Sequence, residues 1–290
     1  MQSSSRPRGA VLVTGASTGI GHACALGLAR AGFHVFAGVR RPADGNALQA
    51  HSAGRITPVI LDVTDAQSIA AAADLIATTI GEAGLAGLVN NAGIAVAGPL
   101  EFVPIQELRR QFEVNVLGQV AVTQAMLPLL RQGRGRIVTM GSISGRLAPP
   151  FLGPYAASKH ALEALTDSLR LELRPWRIHV AIVEPGSIAT PIWEKSRNAA
   201  VANFNHAPAQ AHALYDAAVG AAQARVEQTV LTAAPPRLVV QAVLHALTAP
   251  RPRTRYLVGR GARLQALVVK LAPDRLRDWL VASSMRLPRS

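Results

Sequence analysis

Two patterns of apolar and polar residues alternate along most of the chain. Short, continuous apolar runs, such as residues 9–15 and 33–39, have the length and composition of buried strands. Between them, segments such as residues 20–32 and 66–80 carry apolar residues every three or four positions, which predicts amphipathic helices. The pattern therefore predicts strands and helices that follow one another in turn.

The same alternation continues towards the C-terminus. Further strand-like runs cover residues 55–64, 85–93, 135–142, 177–186 and 255–259, and further helical patterns cover residues 105–130, 154–173 and 238–248. Continuous apolar strands separated by helices are what a parallel sheet covered on both faces requires. With right-handed crossovers, this arrangement predicts an α/β fold with a Rossmann-type doubly wound parallel sheet.

The length of 290 residues suits one large domain. We expect a flexible N-terminus at residues 1–8, the sheet domain at residues 9–260 and a C-terminal helical tail at residues 261–290. Within the domain, the Ala-rich residues 187–236 predict helices joined by loops that form a substrate lid. The tail is amphipathic and broken at Pro273; its apolar face would pack on the body or a second subunit, or else rest on a membrane surface.

Composition narrows the class of protein. With 49% hydrophobic and 16% charged residues, the chain is expected to be globular. The net charge of +13 comes from scattered arginines, and aromatic residues make up only 4%, so no nucleic-acid partner is expected. A single cysteine, Cys24, excludes an internal disulfide and suits a cytoplasmic location. No signal peptide and no membrane span are expected.

A glycine-rich turn joins the first predicted strand to the first predicted helix. The segment TGASTGIG, residues 14–21, has glycines at 15, 19 and 21 that let the backbone turn sharply and approach a bound group. The helix that begins there presents free N–H groups and its positive dipole end to a phosphate. At this junction the pattern predicts a dinucleotide-binding turn. The alternative is a tight turn without a ligand.

The end of the second predicted strand bears on the choice of cofactor. In a dinucleotide fold, an acidic residue there binds the ribose 2′-hydroxyl, whereas a basic residue accommodates a 2′-phosphate. This chain has Val39 where the acid would stand, followed by Arg40 and Arg41. NADP(H) is therefore predicted over NAD(H), unless both arginines merely face solvent.

The end of the third predicted strand carries a candidate adenine contact. Asp62 is placed to bind the adenine amino group, and Val63 to pack on the ring. Asp62 could equally cap the next helix, although Thr64 or Asp65 is better placed for capping.

These motifs, with others further along, resemble those of the short-chain dehydrogenase/reductase family. The family's motifs are matched in order by TGASTGIG, NNAG at residues 90–93, Asn115 in NVLG, Ser142 in GSISG, Tyr155 with Lys159, and EPG at residues 184–186 with Thr190. Ser142 precedes Tyr155 by 13 residues, the family's usual spacing. The resemblance covers about residues 9–190. The VRR segment, the VEPG segment and the long C-terminal portion look most like the branch with 17β-hydroxysteroid and retinol dehydrogenases.

The resemblance implies hydride transfer between a nicotinamide and a carbonyl carbon, with Tyr155 as the proton donor. A free tyrosine has a pKa of about 10, poorly matched to proton transfer at neutral pH. Lys159 lies one helical turn further along the same face, and its charge is expected to lower that pKa. Ser142 would bind the substrate oxygen. By analogy with the family, Asn115 would hold a water that relays protons from Lys159 to solvent.

Several of these residues also have alternative interpretations. Ser144 rivals Ser142 on chemistry alone, and only the spacing favours Ser142. Asn115 could instead bond only to backbone or water. No pair of histidines has convincing metal-ligand spacing, so no metal site is expected.

Carried onto this chain, the family's motifs imply a cofactor site and a substrate site. The predicted cofactor-binding residues are Gly15, Ser17, Thr18, Gly19, Ile20, Gly21, Arg40, Arg41, Asp62, Val63, Asn91, Ala92, Gly93, Tyr155, Lys159, Pro185, Gly186, Ile188 and Thr190. The predicted substrate residues are Val96, Ser142, Leu147, Pro149, Phe151, Ile192 and Trp193, most of which are apolar. This apolar lining predicts a lipophilic alcohol, ketone or aldehyde, such as a steroid, a retinoid or a long aliphatic.

The leading hypothesis is thus an NADP(H)-dependent alcohol dehydrogenase or carbonyl reductase. A second enzyme hypothesis is a 3-oxoacyl-thioester reductase, for which scattered arginines would bind an acidic carrier. A hypothesis from a different class is a catalytically silent NADP-binding sensor. The family also implies a homodimer or homotetramer.

Overall fold

Seven parallel strands form one sheet in the computed structural model, which describes residues 8–259 and 261–285. The strands are β1 (Ala10–Val13), β2 (His34–Val39), β3 (Ile56–Ile60), β4 (Leu85–Asn90), β5 (Arg136–Met140), β6 (His179–Pro185) and β7 (Arg255–Val258). They lie in the order β3-β2-β1-β4-β5-β6-β7, and every neighbouring pair is parallel.

Helices follow the strands and cover both faces of the sheet, so the predicted doubly wound fold is confirmed. The described residues form eleven α-helices: α1 (Gly19–Arg30), α2 (Pro42–Ala50), α3 (Ala66–Ile80), α4 (Ile105–Phe112), α5 (Gly118–Gln132), α6 (Gly153–Glu172), α7 (Ile192–Asn205), α8 (Ala209–Leu231), α9 (Arg237–Thr248), α10 (Ala262–Leu271) and α11 (Asp274–Ser284). The tail breaks at Pro273, between α10 and α11, as predicted.

The two faces of the sheet pack two separate apolar cores. Val11 and Val13 of β1 belong to one core, together with residues of α1 and α9. Ala10 and Leu12 belong to the other, together with residues of α3 and α5. Because helices cover both faces, every residue of β1 is buried and apolar. This is the physical reason that the strands form continuous apolar runs in the sequence.

One helix lies where the sequence suggested only a turn. The RPADG segment, residues 41–45, predicts the end of a strand, but in the structure it opens α2. Pro42 stands at the start of the helix, where its fixed φ suits the helix and its missing N–H costs no hydrogen bond. A Cβ added to Gly45 would lie 2.5 Å from the Cβ of Pro58, so glycine allows α2 to approach β3 closely.

The strand order reverses at β1. The chain runs from β1 outwards to β2 and β3, and then returns to the other side of β1 with β4. The connections after β1 and β4 therefore diverge and leave a crevice, which is where doubly wound sheets bind ligands. The glycine turn and the NNAG segment follow these two strands, so the fold brings them together.

 Between β6 and β7, the predicted lid segment forms α7 and α8, and a parallel bridge pairs Ile188 with Ala234 at the two ends of the segment. Residues 1–7 of the expected flexible N-terminus and residues 286–290 of the expected tail lie outside the described residues, as does residue 260. Among the described helices, none has the combination of length and hydropathy that crossing a membrane needs.

Candidate active site

The glycine turn joins β1 to α1 with two residues in the left-handed region. Gly15 has a φ of 63° and Gly19 a φ of 61°, which glycine adopts without strain. A Cβ on Gly21 would lie 2.3 Å from the Gly15 carbonyl oxygen, so the first turn of α1 packs directly on the loop. At this end of α1, which lies in the described part of the chain, the side chain of Thr18 makes no capping hydrogen bond. The first N–H groups of α1 can therefore bind an anion such as a phosphate.

Hydrogen bonds from the NNAG segment hold the glycine turn in place. The Asn91 side-chain nitrogen Nδ2 donates to the carbonyl oxygens of Thr14, at 2.9 Å, and Gly15, at 3.2 Å. The backbone N–H groups of Asn91 and Ala92 both donate to the Thr14 hydroxyl at 2.9 Å. The ends of β1 and β4 thus form one hydrogen-bonded edge that borders the crevice.

Arg40 and Arg41 follow β2 at the same edge of the sheet, and the two side chains differ in their contacts. Nε and Nη2 of Arg41 each donate to the Asp44 carboxylate at 2.9 Å, and this contact raises the pKa of Arg41. Arg40 is exposed, and within the described residues it forms no ion pair. Of the two predicted phosphate ligands, Arg40 is therefore the one whose guanidinium is available.

Asp62 lies at the end of β3 and binds its own turn. Its Oδ1 accepts hydrogen bonds from the backbone N–H of Thr64, at 2.9 Å, and from the Thr64 hydroxyl, at 2.7 Å. Burial acts to raise the pKa of Asp62, but these bonds and the charge of Arg40 outweigh it and lower the pKa. Asp65 caps α3 by accepting from the N–H of Gln67, so the alternative that Asp62 caps this helix is wrong.

Asn115 lies in a π-helical turn, Glu113–Leu117, between α4 and α5. Its Oδ1 accepts from the N–H of Ile94 at 2.8 Å, and its Nδ2 donates to the Ile94 carbonyl at 3.0 Å and the Ser158 hydroxyl at 3.1 Å. A π-turn within an α-helix is frequent at functional sites. Asn115 thus binds backbone, as the alternative interpretation has it, but it also binds a side chain, which that interpretation did not include. The side chain thereby joins the loop after β4 to α6.

Tyr155, Lys159 and Ser142 come together at the start of α6. The Lys159 ammonium lies 5.7 Å from the centroid of the Tyr155 ring and donates to the Met140 carbonyl at 2.7 Å. Ser142 begins the short turn after β5, and its hydroxyl accepts from the N–H of Ser144 at 3.1 Å. Ser142 also acts on Tyr155, whose pKa it lowers, whereas Ser144 does not contribute to that pKa. This coupling favours Ser142 over its rival Ser144.

Burial governs the protonation of this group. It raises the pKa of Tyr155, against a smaller opposing effect of the hydrogen bond with Ser142. It also lowers the pKa of Lys159 to about 8. The predicted lowering of the Tyr155 pKa by Lys159 is therefore wrong for this structure, because the ammonium is bonded to the Met140 carbonyl and burial disfavours its charge. The neutral phenol, the form that can donate a proton, is favoured.

The segment that follows β6 contacts the glycine turn through Thr190. β6 ends at Pro185, and the N–H of Gly186 donates to the Val258 carbonyl at 2.8 Å. A Cβ on Gly19 would lie 3.3 Å from the Cβ of Thr190, so Thr190 lies against the turn. This contact places the predicted nicotinamide-side residues beside the predicted phosphate site.

The other predicted cofactor residues differ in exposure. Val63, Ile188 and Pro185 are buried, Ser17 and Ile20 are half-buried, and Thr18 and Gly93 are exposed. A Cβ on Gly93 would lie 3.3 Å from the Oδ1 of Asn115, so the NNAG segment also borders the π-turn.

The predicted substrate residues differ in burial and in the groups that they contact. Val96 is buried, and its N–H donates to Gln111 Oε1 at 2.7 Å. The indole of Trp193 donates to the Ile188 carbonyl at 2.7 Å, which turns the side chain back towards its own segment. Phe151, with a φ of 65°, packs edge-on to Tyr215 of α8. The half-buried remainder are Leu147, Pro149 and Ile192.

Two contacts that the sequence did not indicate tie α7 and α8 to the loop after β4. The Ser196 hydroxyl of α7 donates to the Ala95 carbonyl at 2.8 Å. The Tyr215 hydroxyl of α8 donates to the Glu101 carboxylate at 2.9 Å, and its ring packs edge-on to Phe102. No local motif marks these residues, because their partners lie about a hundred positions away in the chain.

Comparison with known sequences decides the family. A family model described as short chain dehydrogenase matches residues 9–201. The chain belongs to the short-chain dehydrogenase family. The resemblance seen in the motifs is thereby confirmed, and with it an NAD(P)-dependent oxidoreductase that acts on CH–OH groups.

Relatives of this dehydrogenase include enzymes named for retinol, a hydroxysteroid and 3-dehydrocapnine. Retinol dehydrogenase 5 of Mus musculus is 39% identical over 92% of this chain and 86% of its own length. 17-beta-hydroxysteroid dehydrogenase type 6 of Bos taurus is 36% identical over 96% of this chain and 89% of its own. NADPH-dependent 3-dehydrocapnine reductase of Ornithobacterium rhinotracheale is 35% identical over 95% and 96%. The predicted branch is confirmed.

Solved structures of the family superpose over nearly the whole dehydrogenase. A short-chain dehydrogenase from Streptomyces avermitilis matches with a TM-score of 0.76 at 30% identity, over 97% of this chain and 98% of its own. A short chain dehydrogenase from Burkholderia cenocepacia, in complex with NADP, matches with a TM-score of 0.70 at 28% identity over the same shares.

The packing of the glycine turn leads to a prediction for Gly21. Replacement of Gly21 by Ala would place a methyl group 2.3 Å from the Gly15 carbonyl oxygen and 2.4 Å from Asn91 Nδ2, so the turn must shift. We expect a loss of about 1–3 kcal/mol in the free energy of unfolding and weaker cofactor binding. Denaturant unfolding and cofactor fluorescence titration measure the two effects.

A matched control for this change is Gly220→Ala. Gly220 lies inside α8, with no atom within 4 Å of an added Cβ. This change should stabilise the helix slightly or leave it unaltered. A Gly21→Ala protein with wild-type stability and affinity would contradict the structural account of the turn.

Proposed function

We propose that the enzyme is an NADP(H)-dependent oxidoreductase that interconverts a lipophilic secondary alcohol and ketone, or a primary alcohol and aldehyde. The observation that carries the proposal is the convergence of Ser142, Tyr155 and Lys159 after β5, at the edge of the parallel sheet that also carries the glycine turn after β1. A hydroxyl donor, a phenol and a buried ammonium at the carboxyl edge of a doubly wound sheet suit hydride transfer coupled to proton transfer.

The residues around the crevice fit a nicotinamide dinucleotide. Gly15, Gly19 and Gly21 leave room for a close approach of the pyrophosphate, and the N-terminus of α1 offers N–H groups to it. When bound, the cofactor supplies or accepts the hydride. Gly186, at the end of β6, and Thr190, which lies against Gly19, would contact the nicotinamide side.

The chain's own residues would then handle the proton. Tyr155, kept neutral by burial, donates its phenolic proton to the substrate oxygen during reduction and accepts it back during oxidation. Ser142 donates a hydrogen bond to the same oxygen and stabilises the charge that develops on it. Once that proton has left, the Lys159 ammonium, 5.7 Å from the ring centroid, opposes the effect of burial on the Tyr155 pKa without reversing it.

The role of Tyr155 is tested by Tyr155→Phe. The variant keeps the ring and loses the ionisable hydroxyl, so turnover should fall by at least about 100-fold while NADPH still binds. NADPH oxidation measures turnover, and NADPH fluorescence measures binding. A variant that retained most of the wild-type rate would refute the proton-transfer mechanism.

The preference for NADP(H) is supported by charge at the end of β2. Arg40 is exposed beside Asp62 and can bind a 2′-phosphate, and no carboxylate follows β2 directly to repel it. An NADPH-dependent reductase among the relatives and a solved structure with NADP add support.

Arg40→Ala should weaken NADPH binding by about tenfold or more and leave NADH binding nearly unchanged, because only the 2′-phosphate is lost as a partner. Arg41→Ala is the matched comparison, since Arg41 already pairs with Asp44, and its effect should be smaller. Fluorescence titrations with both cofactors measure the difference. Equal losses for NADPH and NADH would contradict the cofactor assignment.

The proposed substrate is lipophilic. The support is the apolar character of Val96, Phe151 and Ile192, together with relatives named for retinol and steroids. We further propose that α7 and α8, which Ser196 and Tyr215 tie to the loop after β4, form the lid over the proposed substrate site.

A substrate panel tests this proposal. Steroid, retinoid, aliphatic and acyl-thioester carbonyls are compared by NADPH oxidation at equal concentration. We expect turnover with at least one of the first three classes and little with the acyl thioesters. Turnover confined to acyl thioesters would establish the 3-oxoacyl-thioester reductase instead, and NADPH binding without any turnover would favour the sensor.

We also propose a homodimer or homotetramer in the cytoplasm. Leu117, Leu165 and Leu171 lie exposed on the π-turn and on α6, and apolar side chains of this size on neighbouring helices suit a subunit contact. The single cysteine, Cys24, is buried and suits a reducing compartment.

A further inference from the structure

A cluster of charged side chains lies beneath the Ser142 turn, outside the set of proposed catalytic residues. It consists of Arg146 in the turn after β5, Glu163 in α6, Glu184 in β6 and Arg255 in β7, and we call it the charged cluster. Each member comes from a different element. Of these elements, the turn begins at Ser142 and α6 carries Tyr155 and Lys159.

The central contact of the charged cluster is the pair between Arg146 and Glu184. The Glu184 side chain is completely buried, and both of its oxygens accept from Arg146, one from Nε and one from Nη2, the latter at 2.8 Å. A buried carboxylate costs several kcal/mol unless it is paired in this way. The pair is therefore a fixed part of the structure, unlike an exposed ion pair.

The pair joins two segments that the proposed chemistry uses. Arg146 follows Ser142 through a single tight turn, in which the N–H of Gly145 donates to the Ser142 carbonyl at 2.8 Å. Glu184 immediately precedes Pro185 and Gly186, on the proposed nicotinamide side. The ion pair consequently fixes the distance between the substrate-binding hydroxyl and the end of β6.

The charged cluster also contacts the helix that bears Tyr155 and Lys159. Glu163 lies one turn after Lys159, and its Oε2 accepts from Arg255 Nε at 3.1 Å. A Cβ on Gly145 would lie 3.0 Å from the Lys159 carbonyl oxygen and 3.3 Å from Glu163, so the turn rests directly on α6. Any shift of Arg146 would be passed to both sides of the proposed catalytic group.

We propose that Arg146 and Glu184 are positioning residues, and that the charged cluster as a whole holds the Ser142 turn in register with Tyr155 on α6. This inference rests on the proposed function. A misplacement of about 1 Å at a catalytic group can cost up to about 100-fold in rate, so such a device would act on turnover more than on binding.

Arg146→Lys is the principal test. Lysine keeps the charge but lacks the planar fork that binds both carboxylate oxygens of Glu184. We expect kcat to fall by about tenfold or more, while the Kd for NADPH changes by less than about threefold. The matched control is Arg110→Lys, which alters a half-exposed Arg110–Glu107 pair on α4 and should leave kcat unchanged.

The outcomes separate this inference from the proposed function. A wild-type enzyme without turnover would overturn both. An active wild type with an equally active Arg146→Lys variant would overturn the positioning role alone. A fall in kcat matched by a similar loss in NADPH binding would also overturn it, because the pair would then serve the fold in general.

Glu163→Gln provides a second variant with little change in shape. Glu163 faces Glu184 from β6, Arg255 from β7 and Arg146 from the turn, and burial is the largest of the effects that raise its pKa, to about 7. Below the pKa the wild-type side chain is neutral like glutamine, and above it the wild type gains a charge. The kcat profiles should therefore agree below about pH 6 and diverge above about pH 8.

The pH dependence of the free energy of unfolding should also reflect the raised pKa of Glu163. Because the folded-state pKa of Glu163 is raised, the favourable burial of the neutral acid is present at low pH and is lost as the pH rises through about 7. Relative to wild type, Glu163→Gln should thus become more stable on going from acid to alkaline pH. Superimposable kcat profiles at every pH would overturn the role of Glu163 in positioning.

Discussion

The hydrogen bonds between Thr14 and the Asn91–Ala92 segment join the ends of the two central strands, and the rest of the site is built outward from them. Asn91 also binds the Gly15 carbonyl, so it fixes the turn that would hold the pyrophosphate. From there the contacts continue through the π-turn, where Asn115 binds Ile94 and reaches Ser158 in α6. One series of hydrogen bonds therefore runs from the cofactor turn to the helix of the proposed catalytic pair.

Burial sets the electrostatic state of the site. Loss of solvent keeps Tyr155 neutral and lowers the pKa of Lys159, whose ammonium still donates to the Met140 carbonyl. Glu184 is buried as well, but it has a complete pair in Arg146. The protein thus places groups of easily shifted pKa at the reacting centre and a firmly paired carboxylate behind it, which suits a site that must be both reactive and rigid.

Local sequence patterns correctly predicted much of the fold and the position of the glycine motif. Continuous apolar strands predicted a sheet covered on both faces, and the glycine turn lies at the switch point as its position between strand and helix indicated. Local patterns failed where a distant element decided the outcome. The residues of α2 resemble a turn in isolation, but they form a helix that packs closely on β3, with Gly45 against Pro58. The Tyr155 pKa depends on burial, which no spacing of residues reveals.

The sequence by itself determined the alternation of strands and helices apart from α2, the place of the glycine turn and the identity of the motif residues, because each of these depends on neighbours a few positions apart. Tertiary structure alone decided which side chains meet. Arg41 pairs with Asp44 and leaves Arg40 available, Tyr215 reaches a carboxylate far away in the chain, and Arg146 joins Glu184 beneath the Ser142 turn. Such contacts follow from how the elements pack, and packing joins residues that the sequence keeps far apart.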